Sequence, residues 1–314
     1  MTTKFVVTGD QYRGIDRKMR DIKRQLDGKD GSPFNPVWLD KELQRILEGR
    51  DLSLAVPELK ADWLTDILVR EQTAHLTFFG QEYDLSELEK KLREYGRKQV
   101  KRWASLGLEP HFLPQVSMMP GDNYSGWKIK PGEFYYRSLV EGKLFRNQNG
   151  NLVKVTNIGL EGVSVLIDTR LKPAYDNGRQ MWEKDNLLGS VIQSLRKQGK
   201  IQDYTDGPRN SRFGVSANEL GEIYRALAPR IGLVPDQFRS ELAIEGNAIP
   251  QIYSHMPRKN DGETNTWVWY EEFFGGRVRR LSGGNSDNGG LARVYWDHAA
   301  LHWGYKSFRP LAVL

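Results

Sequence analysis

The sequence of 314 residues contains no cysteine. Disulfides, zinc–thiolate sites, iron–sulfur clusters and thiol nucleophiles all require this residue, so all four are excluded. No apolar run reaches the roughly eighteen residues of a membrane-spanning helix, and the N-terminus MTTKFVVTGDQYRG lacks the apolar core of a signal peptide. We therefore expect no membrane span and, by default, a cytoplasmic location, with export by a route that uses no cleaved signal as the alternative.

Signatures of several enzyme classes are missing as well. The chain has no Gly-x-Ser-x-Gly elbow, no Walker A sequence and no Gly-x-Gly-x-x-Gly motif after a strand. Carboxylates are abundant, but no pattern pairs two of them as an acid and a base. We therefore expect a protein that is not an enzyme and that needs no cofactor, apart from a calcium ion considered below.

The composition is that of a globular protein, with 39% hydrophobic and 27% charged residues. The 46 basic and 40 acidic residues give a net charge of +6, which permits nucleic-acid binding without indicating it. Helical patterns come first, and short strands with Gly- and Asn-rich turns follow Leu113-Pro114, without regular alternation, which predicts an α+β fold. We divide the chain into a helical hairpin module (1–50), a helical connecting region (51–113) and a strand-rich domain (114–314).

The N-terminal module is predicted from two apolar stripes. Thr8 and Gln11 form a capping box, the following stripe has the 3,4-spacing of a coiled-coil seam, and Asn35-Pro36 begins a second helix. One interpretation is a hairpin that buries both stripes internally, and the other is a module for oligomerisation or partner docking. The basic residues between Arg13 and Arg24 add a third use, contact with nucleic acid.

Further elements follow from local patterns. We predict a short helix at 63–68, an extended segment at 75–79, and a helix capped by Asp84 whose basic end, Arg97 to Arg102, meets Trp103. That end could bind phosphates and stack on bases, or its cations could simply complement the helix dipole. Strand-like segments are predicted at Phe134–Tyr136 and 162–168, a hairpin turn at 147–151, and helices capped by Asp185 and by Ser216 with Glu219.

Large rings are concentrated in the last stretch, 279–314. Its segment WDHAALHWGY lies between two strand-like pieces, and rings of this kind are favoured on recognition surfaces. His298 and His302 are four apart but have no third histidine nearby, so we predict contacts and not a metal site. The Asn285–Asn288 loop offers oxygens that could hold calcium, or it is an ordinary turn. The predicted ligand-binding residues are Asn285, Ser286, Asp287, Asn288, Tyr295, Trp296, Asp297, His298, His302, Trp303 and Tyr305; the two tryptophans fit the core equally well.

Three landmarks of this stretch resemble a known family: Arg280-Leu281-Ser282-Gly283-Gly284-Asn285-Ser286, Leu291-Ala292-Arg293-Val294 and Ser307-Phe308-Arg309-Pro310. They are similar to the closing signature of the formylglycine-generating-enzyme branch of the C-type lectin-like fold. That branch includes the variable proteins of diversity-generating retroelements, whose hypervariable residues lie between such landmarks.

The resemblance implies a C-type lectin-like C-terminal domain behind an α-helical module. It also implies a non-catalytic protein whose C-terminal surface, diversified in such relatives, binds a protein or glycan. Formylglycine-generating oxidases hold copper with cysteine thiolates, so their activity is not expected here. A nucleic-acid-associated protein that uses the basic N-terminal helices is the alternative.

Overall fold

The computed structural model describes residues 63–169, 185, 187–204, 211–253, 267–284 and 290–314. All of them belong to the second of two compact units into which the chain divides, Leu59–Leu314. Helices and two sheets are mixed without alternation, and the α+β class is confirmed. The predicted N-terminal hairpin module at 1–50 lies outside the described residues. The part of the chain that the structure describes contains no helix long and apolar enough to cross a membrane.

Helix α1 spans Trp63–Phe79, so the extended segment predicted at 75–79 is wrong. Its buried side chains are spaced by three, four, four and three residues, which is one face of a helix, from Leu64 through Ile67, Glu71 and His75 to Phe78. Two of these five are a glutamate and a histidine, which break the apolar pattern. The helical period of the buried face was therefore not recognisable from the apolar residues of the sequence alone, because Glu71 and His75 occupy two of its positions.

Helix α2 spans Ser86–Ser105 and carries a kink at Gly96, whose backbone is not helical. The N-cap residue is Leu85, one position after the predicted Asp84, and Asp84 accepts a hydrogen bond from the Ser86 backbone N–H. Leu88 and Leu92 are buried as predicted.

Two sheets form the framework. The first has the antiparallel order β1 (Leu108–Ser117), β4 (Gly159–Asp168), β10 (Pro310–Val313) and β5 (Phe238–Ser240). Strand β4 confirms the strand predicted at 162–168. The last strand of the chain therefore lies inside this sheet and packs into the core through Leu311 and Ala312.

The second sheet follows the order β3, β2, β6, β7 and β8, with β9 beside β6 in the parallel sense. Strands β2 (Leu144–Gln148) and β3 (Asn151–Lys154) enclose the predicted hairpin turn, where Asn149 and Gly150 both have positive φ. The other strands are β6 (Trp267–Phe274), β7 (Arg279–Gly283), β8 (Val294–His298) and β9 (Lys306–Phe308). The C-terminal stretch thus contributes strands to both sheets.

Four helices complete the described residues. The strand predicted at Phe134–Tyr136 is wrong, because these residues begin helix α3, Glu133–Val140, which buries Tyr135 and Leu139 on one face. Both predicted caps of the next two helices are confirmed: Asp185 accepts from the backbone N–H of Leu188, and Ser216 forms a capping box with Glu219. The helices are α4 (Leu188–Lys197), α5 (Leu220–Leu227) and α6 (Ala243–Ile252).

The connecting region and the strand-rich domain share strands and core. The boundary predicted after Leu113 falls within β1. Phe78 and Phe79 of α1 belong to the same buried cluster as Tyr135 of α3 and Leu281 of β7. Residues 63–113 therefore pack as part of the fold that holds the C-terminal stretch.

Close approach of β7 and β8 requires glycine at position 283. A Cβ atom there would lie 2.0 Å from the Arg293 carbonyl oxygen and 2.9 Å from the Tyr270 ring. We expect Gly283→Ala to lower the free energy of unfolding by about 1–3 kcal/mol, because the two strands must separate. Denaturant unfolding measures this, with Gly121→Ala as control, since a Cβ at Gly121 meets nothing within 4 Å. Equal losses in both variants would contradict the expectation.

Candidate functional site

Strand β8, the loop 299–305 and strand β9 hold the predicted C-terminal residues that the structure describes. Strand β8 lies at the end of the strand order of its sheet and pairs with β7. In this pairing Trp296 is opposite Leu281, and Tyr295 is opposite Ser282. Leu281 and Val294 are buried in the core, whereas Tyr295 and His298 are exposed. One strand thus joins the core to a displayed surface.

A row of four partly exposed rings, the β8 ring row, consists of Phe134, Phe274, Trp296 and Tyr295. The Trp296 and Phe274 rings are nearly parallel, with centroids 5.7 Å apart, and Tyr295 lies 5.8 Å from Trp296. Phe134, at the start of α3, is 5.0 Å from Tyr295 and 5.5 Å from Phe274. The rings support one another, so the surface is preorganised and costs little entropy to order on binding.

Two arginines stack on this row. The Arg279 guanidinium lies 4.2 Å from the Trp296 ring centroid. The Arg293 guanidinium lies 5.2 Å from Tyr295 and 5.8 Å from Trp267. Within the described ranges neither arginine has a carboxylate partner, and Arg293 Nε is buried without a hydrogen bond. Such cations on aromatic faces retain their capacity to bind an anion.

The loop after β8 forms a second ring group. Trp303 and Tyr305 stack with centroids 5.5 Å apart, and His302 stacks on Tyr204 at 6.3 Å. His302 Nε2 lies 2.9 Å from the Glu219 carboxylate, which also bonds to Ser216 in the capping box before α5. His302 is therefore tied to the framework. Burial and the negative charge of Asp297 raise the pKa of Tyr305 above its usual value, so this hydroxyl stays protonated at neutral pH.

Lys306 lies beneath β8 and is almost fully buried. Its Nζ donates to the Asp297 carboxylate at 2.9 Å and to Ser282 Oγ at 3.3 Å, and it lies 4.0 Å from the Trp269 ring centroid. Burial lowers the pKa of Lys306, although the Asp297 carboxylate opposes that effect. The pair fixes Asp297 in place and neutralises its charge.

Seven of the predicted residues lie in the described part of the C-terminal stretch, where they form two groups. Tyr295 and Trp296 join the ring row, and Asp297 bonds to Lys306. His298 is exposed, and the remaining three, His302, Trp303 and Tyr305, lie in the loop. Predicted residues Asn285, Ser286, Asp287 and Asn288 lie outside the described residues.

The two histidines of this stretch are not placed as a helical pair of metal ligands. His298 ends a strand and His302 lies in a loop, so their spacing is not helical. No group of three or more histidine, aspartate or glutamate side chains suited to a metal ion occurs within the described ranges. The oxygens of the Asn285–Asn288 loop, which could hold calcium, stay a prediction.

The basic end of α2 does not provide a base-stacking platform. Trp103 is completely buried, and its Nε1 donates to the Ile231 carbonyl at 2.8 Å. Tyr95 is half-buried and lies edge-on to Trp103. The exposed cations Arg97, Lys98, Lys101 and Arg102 therefore cannot use Trp103 to stack on bases, and phosphate binding by them stays a prediction. Nucleic-acid binding by Arg13 to Arg24 stays a prediction outside the described residues.

Several contributors to this surface were missed in the sequence. Phe134 and Phe274 lie far from the C-terminal stretch in the chain, and only the sheet order brings them beside Tyr295 and Trp296. Arg279 and Arg293 flank the two strands in a recognisable way, but stacking on specific rings depends on the register of β7 and β8. The sequence offered one signal of these contributors, Lys306, because it is a lysine within alternating apolar residues of the ring-rich stretch.

Comparisons with known proteins found one solved structure, that of PvdO from Pseudomonas aeruginosa. It is 12% identical, the match covers 66% of this chain and 94% of that chain, and the TM-score is 0.35. No protein-family model and no curated protein sequence matches the chain.

Proposed function

We propose that this chain is a non-catalytic ligand-binding protein with a C-type lectin-like C-terminal domain. Its contact surface is formed by β8 and the following loop, together with the Asn285–Asn288 segment. The ligand is a protein or a glycan. The N-terminal residues 1–50 act as a helical module that oligomerises the chain or docks it to a partner.

The position of the exposed aromatic rings in the chain is the observation that carries this proposal. Among the described residues, two aromatic side chains count as exposed large hydrophobic groups, Tyr295 at 42% and Tyr305 at 39%. Both lie in the predicted ligand-binding stretch, and Leu301 between them is exposed as well. Exposed rings grouped on one surface are typical of a binding site and not of a solvated face.

The framework beneath favours binding as the role of this surface. Val294, Ala299, Phe308 and Leu311 anchor the two strands and the loop in the core. Exposed side chains between such anchors can change without loss of stability. Among the described residues of this surface, Asp297 is bonded to Lys306 and His302 to Glu219, so these side chains are engaged with one another.

The proposal is tested with the double variant Tyr295→Ala, Tyr305→Ala. Wild-type protein is used to probe a glycan array and a displayed library of random twelve-residue peptides, and the affinity of selected binders is then measured. We expect the double variant to weaken binding about 30-fold or more, because interface rings contribute on the order of 1–2 kcal/mol each.

The control is Val69→Ala, Val234→Ala, which removes two exposed apolar side chains from other elements. It should bind as the wild type does. Two outcomes contradict the proposal: neither library yields a binder, or the double variant and the control bind equally well. Unfolding measurements on all three proteins exclude a loss through misfolding, since exposed substitutions change stability by only about 0.5 kcal/mol.

A further inference from the structure

We propose that the ligand of the β8 surface is an acidic, extended segment of a partner protein, which adds as a strand to the outer edge of β8. Its carboxylates bind Arg279 and Arg293, and its intervening side chains lie against the β8 ring row. This inference rests on the proposed function and specifies the ligand of the same surface.

The first argument is the free edge of β8. Within the described ranges β8 pairs with β7 and with no other strand. The bonds from Gly284 N–H to the Arg293 carbonyl and from Ala299 N–H to the Val278 carbonyl fix which residues bond inwards. Hydrogen-bonded pairs alternate along an antiparallel ladder, so Tyr295 and Asp297 also bond to β7. The backbone groups of Val294 and Trp296 therefore point away from β7; Val294 is buried, so a peptide strand pairs with Trp296, which is partly exposed.

The second argument is charge. Arg279 and Arg293 flank this edge, and each stacks on a ring of β8. The exposed Arg277 lies in the turn between β6 and β7, at the same end of the sheet as Arg279. The nearby carboxylates Asp297 and Glu141 are each bonded to a lysine. Because the unpaired charge is positive, the surface complements a negatively charged ligand.

The third argument is geometry. Arg279 lies opposite His298 in the register of β7 and β8, and Arg293 immediately precedes β8. Positions 293 and 298 are five residues apart, which is about 17 Å at the rise of a β-strand. Successive side chains alternate between faces, so positions five apart lie on opposite faces. A pairing strand with two acidic residues about five positions apart therefore meets both guanidiniums.

These observations favour a peptide over an anionic glycan. Arginine on an aromatic ring would bind the carboxylate or sulfate of either ligand. The outward N–H and C=O groups of Trp296, however, form the donor and acceptor pair that one residue of a pairing polypeptide backbone complements. A glycan has no matching backbone pair.

The test begins with peptides selected from the displayed library on wild-type protein. We expect enrichment of aspartate and glutamate at two positions about five apart, and a loss of affinity of about tenfold or more for Arg279→Gln and for Arg293→Gln. Arg225→Gln removes an exposed arginine of α5 and should bind as the wild type does. Selected peptides without acidic enrichment, or equal affinity for all three variants, would overturn the inference.

Strand addition is tested on the peptide itself, which leaves the protein unchanged. N-methylation at alternate residues of a selected peptide removes either the N–H groups that face β8 or those that face solvent. Methylation of the N–H groups that face β8 should abolish binding, and methylation of the N–H groups that face solvent should leave the affinity within about twofold. Equal effects of the two methylated sets would show that the peptide does not bind as a strand.

The result also separates this inference from the proposed function. If the surface binds only sulfated or carboxylated glycans, and the variant Tyr295→Ala, Tyr305→Ala loses them, the proposed function stands and the peptide inference is overturned. If neither library yields a binder, both are overturned.

Discussion

Arg212→Met is expected to lower the free energy of unfolding by about 3–5 kcal/mol at pH 7, because it leaves two buried carboxylates without their guanidinium. Arg212, Asp168 and Asp185 are all fully buried. Arg212 Nε donates to Asp185 and Nη2 to Asp168, each at 2.5 Å, and Nη1 donates to the Phe308 carbonyl at 3.2 Å. A total stability of about 5–15 kcal/mol is usual for a domain, so the loss is a large fraction of it.

Denaturant unfolding at pH 7 measures this effect. Arg225→Met is the matched control, because Arg225 pairs with Glu222 on the surface, with 61% and 38% of the two side chains exposed. It should cost no more than about 0.5 kcal/mol. The triple variant Arg212→Met, Asp168→Asn, Asp185→Asn should recover part of the loss, since no uncompensated charge remains buried. A loss below about 1 kcal/mol for Arg212→Met would contradict the expectation.

Glu71→Gln is expected to cost a few kcal/mol at pH 6 and much less near pH 2. Glu71 is fully buried and lies 2.9 Å from His111 Nδ1, and its other oxygen accepts from the Tyr253 hydroxyl at 2.6 Å. Burial raises the pKa of Glu71, but the His111 and Arg70 cations and the hydrogen bonds outweigh it and bring the pKa down from 4.5 to about 2. The folded state therefore binds this proton more weakly than the unfolded state does.

The sign of the pH dependence follows from that difference. The contribution of Glu71 is fully present above pH 4.5 and is lost as the pH falls towards 2. Burial lowers the pKa of His111, but the carboxylates of Glu71 and Glu109 outweigh it, and the pKa is raised above 6.5. The stabilisation by protonated His111 is therefore lost as the pH rises through that raised pKa. The pair stabilises the fold most between about pH 5 and 6.5.

Unfolding of wild type and Glu71→Gln at a series of pH values from 2 to 8 measures this dependence. The wild type should lose stability more steeply than the variant as the pH falls below 4.5. Glu89→Gln is the control, because Glu89 pairs with Arg93 on the exposed face of α2; its curve should follow that of the wild type. Parallel curves for all three proteins would mean that Glu71 does not titrate with a lowered pKa.

Two buried arginines connect the C-terminal surface to the rest of the fold. Arg212 donates to Phe308, which ends β9, and the fully buried Arg309 donates to Glu241 at 3.1 Å. The chain therefore passes from one sheet to the other between two buried arginines. A surface held in this way keeps its rings in position when no ligand is bound, which favours affinity.

Much of the secondary structure followed from the sequence, because its signals are local. The cap at Asp185, the capping box of Ser216 with Glu219, and the turn at Asn149-Gly150 each depend on residues a few positions apart. The α+β class followed in the same way from the order of elements. Where polar residues occupied core positions, as Glu71 and His75 do in α1, the periodic pattern failed, and the end of the helix at 75–79 was predicted as an extended segment.

For the candidate site, the sequence determined which stretch carries the rings but not which of them are displayed. The absence of cysteine and the ring-rich segment WDHAALHWGY are sequence properties. Only the tertiary structure placed Phe134 and Phe274 beside Trp296, bonded His302 to Glu219, and buried Lys306 under β8 with Asp297. The register of β7 with β8 and the parallel pairing of β9 with β6 are contacts between distant residues. Such pairings depend on the packing of the whole core, which no local pattern of residues contains.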